Sequence, residues 1–318
     1  MSITSTHAYR FPIPAVLNLS IALSTYALAI ACLWLVSAAI NVWSVVLGIL
    51  LFSYLGNTIF SLLHESVHGV FHPNPRINYV FGCMSAVFFP TSFSFHRVCH
   101  LGHHRRNRSD VELFDYYTDP GKKFVAYYRL YCLLSGFYWL SIPVGCLLLL
   151  LASPFFHSAF FRNKVVHVMG LKPMVEDLVQ ADPGLLRREI GFTLLFQCLL
   201  IWSLDLTLTG WLLCYVAFAL NWCALQYADH AWSVRDVKEG SWNLKIHPVV
   251  RWIFLNYHFH LVHHRHPKVP WLYLPRLVDP NDPQPSFWSI YWRLWKGPRL
   301  TSEPAPVQPD AELMDQVK

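Results

Sequence analysis

FPIPAVLNLSIALSTYALAIACLWLVSAAINVWSVVLGILLFSYLGNTIFSLL, residues 11–63, runs for 53 positions without one Asp, Glu, Lys or Arg. As a single helix it would extend about 80 Å, against a membrane hydrocarbon core of about 30 Å. It must therefore form two spans with a turn near Asn41. The stretch is too long for a cleavable leader, and no small-residue cleavage site follows a short apolar core, so it predicts a retained N-terminus.

The remainder of the chain points the same way. Its 318 residues are 54% apolar and 14% charged, a balance too greasy for an ordinary soluble domain. Further uncharged stretches cover 77–95, 130–161, 190–204 and 206–228. The last two, separated by Asp205 and a turn ending at Gly210, read as a helical hairpin. The predicted fold class is all-α: a multi-pass membrane helical bundle of about four transmembrane helices plus re-entrant or interfacial helices. Residues 1–300 form one domain in this reading, and 301–318 a disordered polar tail.

The first apolar stretch runs directly into a histidine pattern. Windows 64–72, 96–104 and 258–266 hold 12 of the 17 histidines. His64 and His68 stand at i, i+4; His100, His103 and His104 at i, i+3, i+4; and His260, His263 and His264 repeat that spacing. On a helix each set projects from one face. Burying so many imidazoles near membrane level without partners would cost several kcal/mol, and metal coordination removes that cost. Eight such ligands, with a ninth identified below, fit two metals with four or five each.

Imidazole suits Zn, Cu, Fe and Ni alike. His64-Glu65-Ser66-Val67-His68 also matches the H-E-x-x-H zinc protease pattern, but a zinc hydrolase would leave the second and third clusters idle. Iron fits better, because two ferrous ions can reduce O₂ to a species able to cleave an unactivated C–H bond. Neutral ligands leave metal charge uncompensated, so carboxylates are expected behind them; Glu65 and Asp229 are the candidates.

If the three windows build one site, only an even number of crossings separates them. The 77–95 and 130–161 stretches then cannot be simple spans; the first contains Gly82 and Pro90, and Pro143 and Pro154 break the second. Arg162, Lys164, Lys172, Arg187 and Arg188, with Arg105, Arg106 and Arg108, place the windows and both termini in the cytoplasm by the positive-inside tendency. The net charge of +6 reads as topology and headgroup attraction, with no nucleic-acid pattern. The eight cysteines form no CxxC and read as core residues in a reducing compartment; Cys83 and Cys99 lie closest to the windows.

HESVHG at 64–69, HLGHH at 100–104 and HLVHH at 260–264, followed by HPKVPWLYLP at 266–275, resemble the three histidine boxes of the membrane fatty acid desaturase and hydroxylase superfamily. The resemblance spans roughly residues 40–285. It adds a ligand just after the last span, and Gln226-Tyr-Ala-Asp-His230 is similar to that feature. The ligand set it implies is His64, His68, His100, His103, His104, His230, His260, His263 and His264. His72, His96, His258 and His266 lie outside the box cores; His96 and His258 are expected behind the ligands, although His96 and His100 could form a box of different spacing. His7, His157, His167 and His247 stand alone.

The resemblance implies an oxidoreductase of lipid metabolism that removes two hydrogens from a long acyl chain with two iron ions and O₂. The chain could be carried as lipid, CoA or acyl carrier protein ester. The sequence holds no cytochrome b5 heme signature and no G-x-G-x-x-G loop, so a ferredoxin, rubredoxin or cytochrome with its reductase is the expected electron donor. Arg105, Arg106, Arg108, Arg265 and Lys268 could steer an acidic donor or anchor headgroups. Hydroxylation, ketone formation, or oxidative loss of the carboxylate to a 1-alkene would use the same cluster. The expected setting is a bacterial inner membrane or the endoplasmic reticulum. The acyl chain is expected to thread between spans, with Trp34, Trp43, Trp202, Trp211 and Trp222 either lining them or forming an aromatic belt. Phe287–Trp295 is expected to lie flat on the membrane.

Overall fold

In the computed structural model, which describes residues 11–306 except 153, 156–157 and 167–171, the uncharged N-terminal stretch forms two antiparallel helices. These are α1 (Ala15–Ala38) and α2 (Val42–His68). Asn41 makes the turn and caps α2, its Oδ1 accepting the Ser44 N–H at 3.0 Å. That satisfies one of the helix's unpaired first-turn donors. The start of α1 returns to the end of α2: the Asn18 side-chain amide donates to the Phe71 carbonyl at 2.8 Å.

The 77–95 stretch becomes α3 (Pro75–Phe88) and α4 (Phe93–Arg106), joined by an uncharged turn. At 14 residues each, they reach about 21 Å, short of a bilayer crossing. The 77–95 stretch is therefore not a simple span. The 130–161 stretch is likewise no straight span. The helical segments Pro120–Leu134 and Phe137–Leu151 meet at 88°; their α-helical parts are α5 (Lys123–Leu134) and α6 (Phe137–Leu151).

Of the two expected breaks, α6 ends at Leu151, shortly before Pro154, but the one at Pro143 is not found. Pro143 lies inside α6, and the chain turns at Gly136, whose φ is +81°. A Cβ there would stand 3.1 Å from the Leu220 backbone nitrogen, so both the left-handed backbone and the close approach call for glycine.

After α7 (Lys172–Val179) come α8 (Pro183–Ser203) and α9 (Leu208–Ala228). Gln197 of α8 ties this hairpin together: its side-chain amide donates to Tyr215 Oη at 2.9 Å and accepts from Trp211 Nε1 at 3.0 Å. Among the described residues three helices, α1, α2 and α9, are long and apolar enough to cross a membrane, or four if the bent pair counts as one. α8 equals α9 in length but carries Arg187, Arg188 and Glu189 near its start. The Glu189 carboxylate accepts the Tyr79 hydroxyl (2.7 Å), the Ser94 N–H (2.7 Å) and the Ser94 hydroxyl (2.8 Å), which fastens α8 to α3 and α4. The whole is a multi-pass membrane-type helical bundle.

α2 packs against α1, α3 and α9 at the centre of the bundle. Below the histidine end, Phe60, Phe89, Trp222, Trp139 and Phe218 pack together, all but the tilted Phe60–Phe89 pair edge to face, a favoured aromatic geometry. Trp222 thus belongs to the core, whereas Trp34, Trp43 and Trp202 are exposed near helix ends remote from the histidines.

The chain closes with α10 (Pro248–Ile253), α11 (His260–Arg265) and α12 (Phe287–Leu294). α12 buries Ile290 and Leu294 and exposes Trp288 and Trp292. A short parallel pairing joins β1 (Tyr116–Tyr117) to β2 (Arg299–Leu300). Thr301 N–H continues it by donating to the Tyr117 carbonyl at 3.0 Å. Of the tail expected at 301–318, residues 307–318 lie outside the described residues.

Candidate metal centre

Four separate pieces of chain bring their histidines to one end of the bundle. α2 supplies His64 and His68 from its last turns, and α4 supplies His100, His103 and His104 from its own. His230 follows the end of α9, and α11 carries His260, His263 and His264. The nine sort into two groups: His64, His68, His100, His104 and His263; and His103, His230, His260 and His264. Within each group the candidate ligand atoms lie within 4.8 Å of one another.

The nitrogens face each other in a way that hydrogen bonding alone serves poorly. His100 Nε2 lies 2.8 Å from His68 Nε2 and 3.0 Å from His104 Nε2, and His104 Nε2 lies 3.0 Å from His263 Nε2. A neutral ring nitrogen has one proton or one lone pair, so three contacts among four nitrogens would have to share one of each twice. A cation among them accepts all four lone pairs. His64 Nε2 and His264 Nε2 are buried without a hydrogen-bond partner among the described residues, which fits the same explanation.

Protonation state agrees. Burial, reinforced by the neighbouring imidazoles, pushes His100, His230, His260, His263 and His264 well below the usual imidazole range and His104 to about 2. The neutral form is the ligand form. His230 Nδ1 sits 2.9 Å from the Gly240 carbonyl; donation there leaves Nε2 with its lone pair.

Carboxylates stand behind each group. Asp229, fully buried, places Oδ2 3.6 Å from His260 Nδ1, behind that ring, while its Oδ1 lies 3.8 Å from His230 Nε2, on that ring's lone-pair side. Glu65 places Oε1 3.9 Å from His64 Nδ1, while its Oε2 accepts the Trp271 N–H at 3.0 Å. That anchored position behind the imidazole is wrong for the general base of a zinc protease. Sequence reasoning missed Glu112, whose Oε2 lies 3.5 Å from His103 Nδ1, and Tyr257, whose ring packs edge-on against His64. Neither sits in a motif, so spacing held no signal for them.

The other histidines stay out of both groups. The His96 ring stacks parallel on His100 at 6.0 Å, edge-on to Phe60 and Phe89, and belongs to neither group. His258 lies against Phe259. His72 and His247 accept backbone N–H groups two residues on, and His266 is exposed. His7, His157 and His167 lie outside the described residues. Cys83 and Cys99 belong to neither group.

The basic residues expected to steer a donor are mostly committed elsewhere. Arg108 is buried on Asp115 at 2.8 Å, Arg105 and Arg106 pair with Asp177, and Arg265 pairs with Glu239 and Asp282. Lys268 remains exposed.

Fold and site together define a membrane protein whose histidine clusters can bind two metal ions. The profile of the fatty acid desaturase family matches residues 40–294, and the chain belongs to that family. No curated protein sequence matches it at a significant level. Membership makes it a membrane oxidoreductase of the desaturase and hydroxylase superfamily, with a lipid acyl substrate.

Proposed function

We propose that the protein introduces a double bond into a long acyl chain, using two irons, O₂ and electrons from an external ferredoxin, rubredoxin or cytochrome. The observation that carries this reading is the five-plus-four partition of nine imidazoles. His64, His68, His100, His104 and His263 would hold one iron, and His103, His230, His260 and His264 the other. When bound, the irons supply the O₂-derived oxidant that removes hydrogen from carbon.

The chain's own residues do the rest. Asp229, Glu65 and Glu112 orient the imidazoles and offset the metal charge from behind. The aromatic layer of Phe60, Phe89 and Trp222 keeps water from the bilayer side of the centre. Gly240 fixes the His230 tautomer through its carbonyl.

Charge distribution supports a cytoplasmic centre. The far-end turns at 39–41 and 204–207 contain no Lys or Arg, whereas Arg76, Arg105, Arg106, Arg187, Arg188, Arg235 and Arg265 belong to segments at the histidine end. This is the positive-inside pattern. We take α1, α2, α8 and α9 as four spans, which returns every histidine box to one side.

The test is mass spectrometry of acyl chains from a host expressing the protein, beside a host expressing His263→Ala. The reading predicts a new carbon–carbon double bond that the variant does not make. A product with added oxygen, or a terminal alkene one carbon shorter, would replace desaturation with another oxidation.

A further inference from the structure

A second concavity lies away from the histidines. It is a groove of about 510 Å³, lined by Tyr117, Lys123, Tyr127, Arg293, Lys296 and Arg299, with Glu303 as its single acid. That volume suits a small ligand or head group.

Three parts of the fold build it: the start of α5, the end of α12, and the β1–β2 pairing. The Tyr131 hydroxyl donates to the Trp295 carbonyl at 3.1 Å, joining the first two. Gly297, with φ +94°, lets the chain after α12 lie on the Tyr127 ring, where a Cβ would come within 2.5 Å of Cε1.

Four cations thus surround one cavity, and none pairs with a carboxylate among the described residues. Arg105, Arg106, Arg108 and Arg265 all do. With Glu303 as the one acid beside them, the four leave a net positive charge and repel one another, and an anion between them relieves that cost. Guanidinium groups such as those of Arg293 and Arg299 match phosphate oxygens in geometry.

Exposed Trp288 and Trp292 belong to α12, and exposed Phe124 and Tyr128 to α5, the helices that supply Arg293, Lys123 and Tyr127 to the groove; such side chains favour headgroup level, where lipid phosphates lie. The groove shares a scaffold with the metal centre. The Arg299 N–H donates to the Asp115 carbonyl at 2.9 Å. The Asp115 carboxylate in turn accepts the Trp232 N–H at 2.6 Å and the Tyr227 hydroxyl at 2.5 Å, and these two residues flank His230.

We propose that this groove binds a phosphate-bearing head group: the phosphodiester of a membrane lipid or the phosphates of an acyl-thioester carrier, which share this chemistry. Assigning that head group to the substrate rests on the acyl-oxidation reading above, whereas phosphate binding itself does not.

The experiment uses full-length protein in neutral detergent, titrated separately with coenzyme A and with short-chain phosphatidylglycerol. We expect one of them to bind, and Lys123→Gln/Arg293→Gln/Lys296→Gln/Arg299→Gln to weaken it by about tenfold or more. Arg293→Lys/Arg299→Lys should retain binding. Metal content equal to wild type shows that the variants are folded; Lys296→Glu, at an exposed position, supplies a milder variant that should weaken binding severalfold. Preference for coenzyme A identifies a thioester carrier, and preference for phosphatidylglycerol a lipid. Wild-type protein that binds neither probe, or binds no tighter than its neutralised variant, overturns the proposal. No turnover is measured, so this result and the test of desaturation can fail independently.

Discussion

Replacing Asp229 by Asn should loosen one metal and spare the other. Asp229 is fully buried, and neither carboxylate oxygen has a hydrogen-bond partner among the described residues. Its near neighbours are His260 Nδ1 at 3.6 Å and His230 Nε2 at 3.8 Å, both in the four-histidine group. Asparagine preserves the volume and removes the charge that polarises those imidazoles. Losing such a partner typically lowers metal affinity 10–100-fold, or about 1.4–2.7 kcal/mol. Glu65→Gln is the mirror experiment, since Glu65 lies 3.9 Å from His64 in the five-histidine group. Dialysis against graded chelator, followed by metal analysis per chain, reads both. Asp229→Asn should surrender one metal early and keep the second as wild type does. Equal weakening of both sites, or no change at either, would refute the placement of these carboxylates.

Asp115→Ala strands the buried Arg108 guanidinium, which Asp115 holds at 2.8 Å, and should cost about 3–5 kcal/mol of stability; a loss below about 1 kcal/mol in denaturant unfolding would contradict that. Gly136→Ala places a Cβ at φ +81° and 3.1 Å from the Leu220 nitrogen, so a loss of at least about 1–2 kcal/mol is expected, read as a lower thermal midpoint. The chelator-stripped protein should lose stability on acidification. Burial lowers His100, His230, His260, His263 and His264 and holds His104 at about 2, whereas unfolded imidazoles titrate near about 6.5. Between those values the six histidines make the unfolded chain bind more protons; the buried Asp229 carboxyl, raised by burial, acts in the opposite sense but is one group against six, so net stability falls as pH drops below about 6.5. Midpoints measured from pH 8 to 5 check the sign, and a rise toward pH 5 would refute it.

Much of the fold was legible because charge exclusion and helical spacing are local properties. Fifty-three uncharged residues demanded a hairpin, and Asn41 was a turn by length alone. The histidine spacings marked one face of α2, α4 and α11 without further information. What spacing could not provide was the division of nine histidines between two groups. Adjacent His103 and His104 point to different groups because their directions differ by about 100° around a helix, and only tertiary packing says what lies on each side. The break at Gly136 was hidden because prolines drew attention. Pro143 is accommodated within α6, and the true constraint was the approach to Leu220, 84 positions away in sequence. Arg108 read as a surface cation because its acid, Asp115, is paired through a loop rather than a periodic element. Glu112 and Tyr257 belong to no motif and became visible only beside His103 and His64.

The central claim is that nine imidazoles from four pieces of chain grip two oxygen-activating irons. Elemental analysis with Mössbauer spectroscopy of the purified, full-length protein tests it most directly. Two irons per chain, one in each histidine group, is the expected result. Zinc in place of iron, or a single metal per chain, would contradict it.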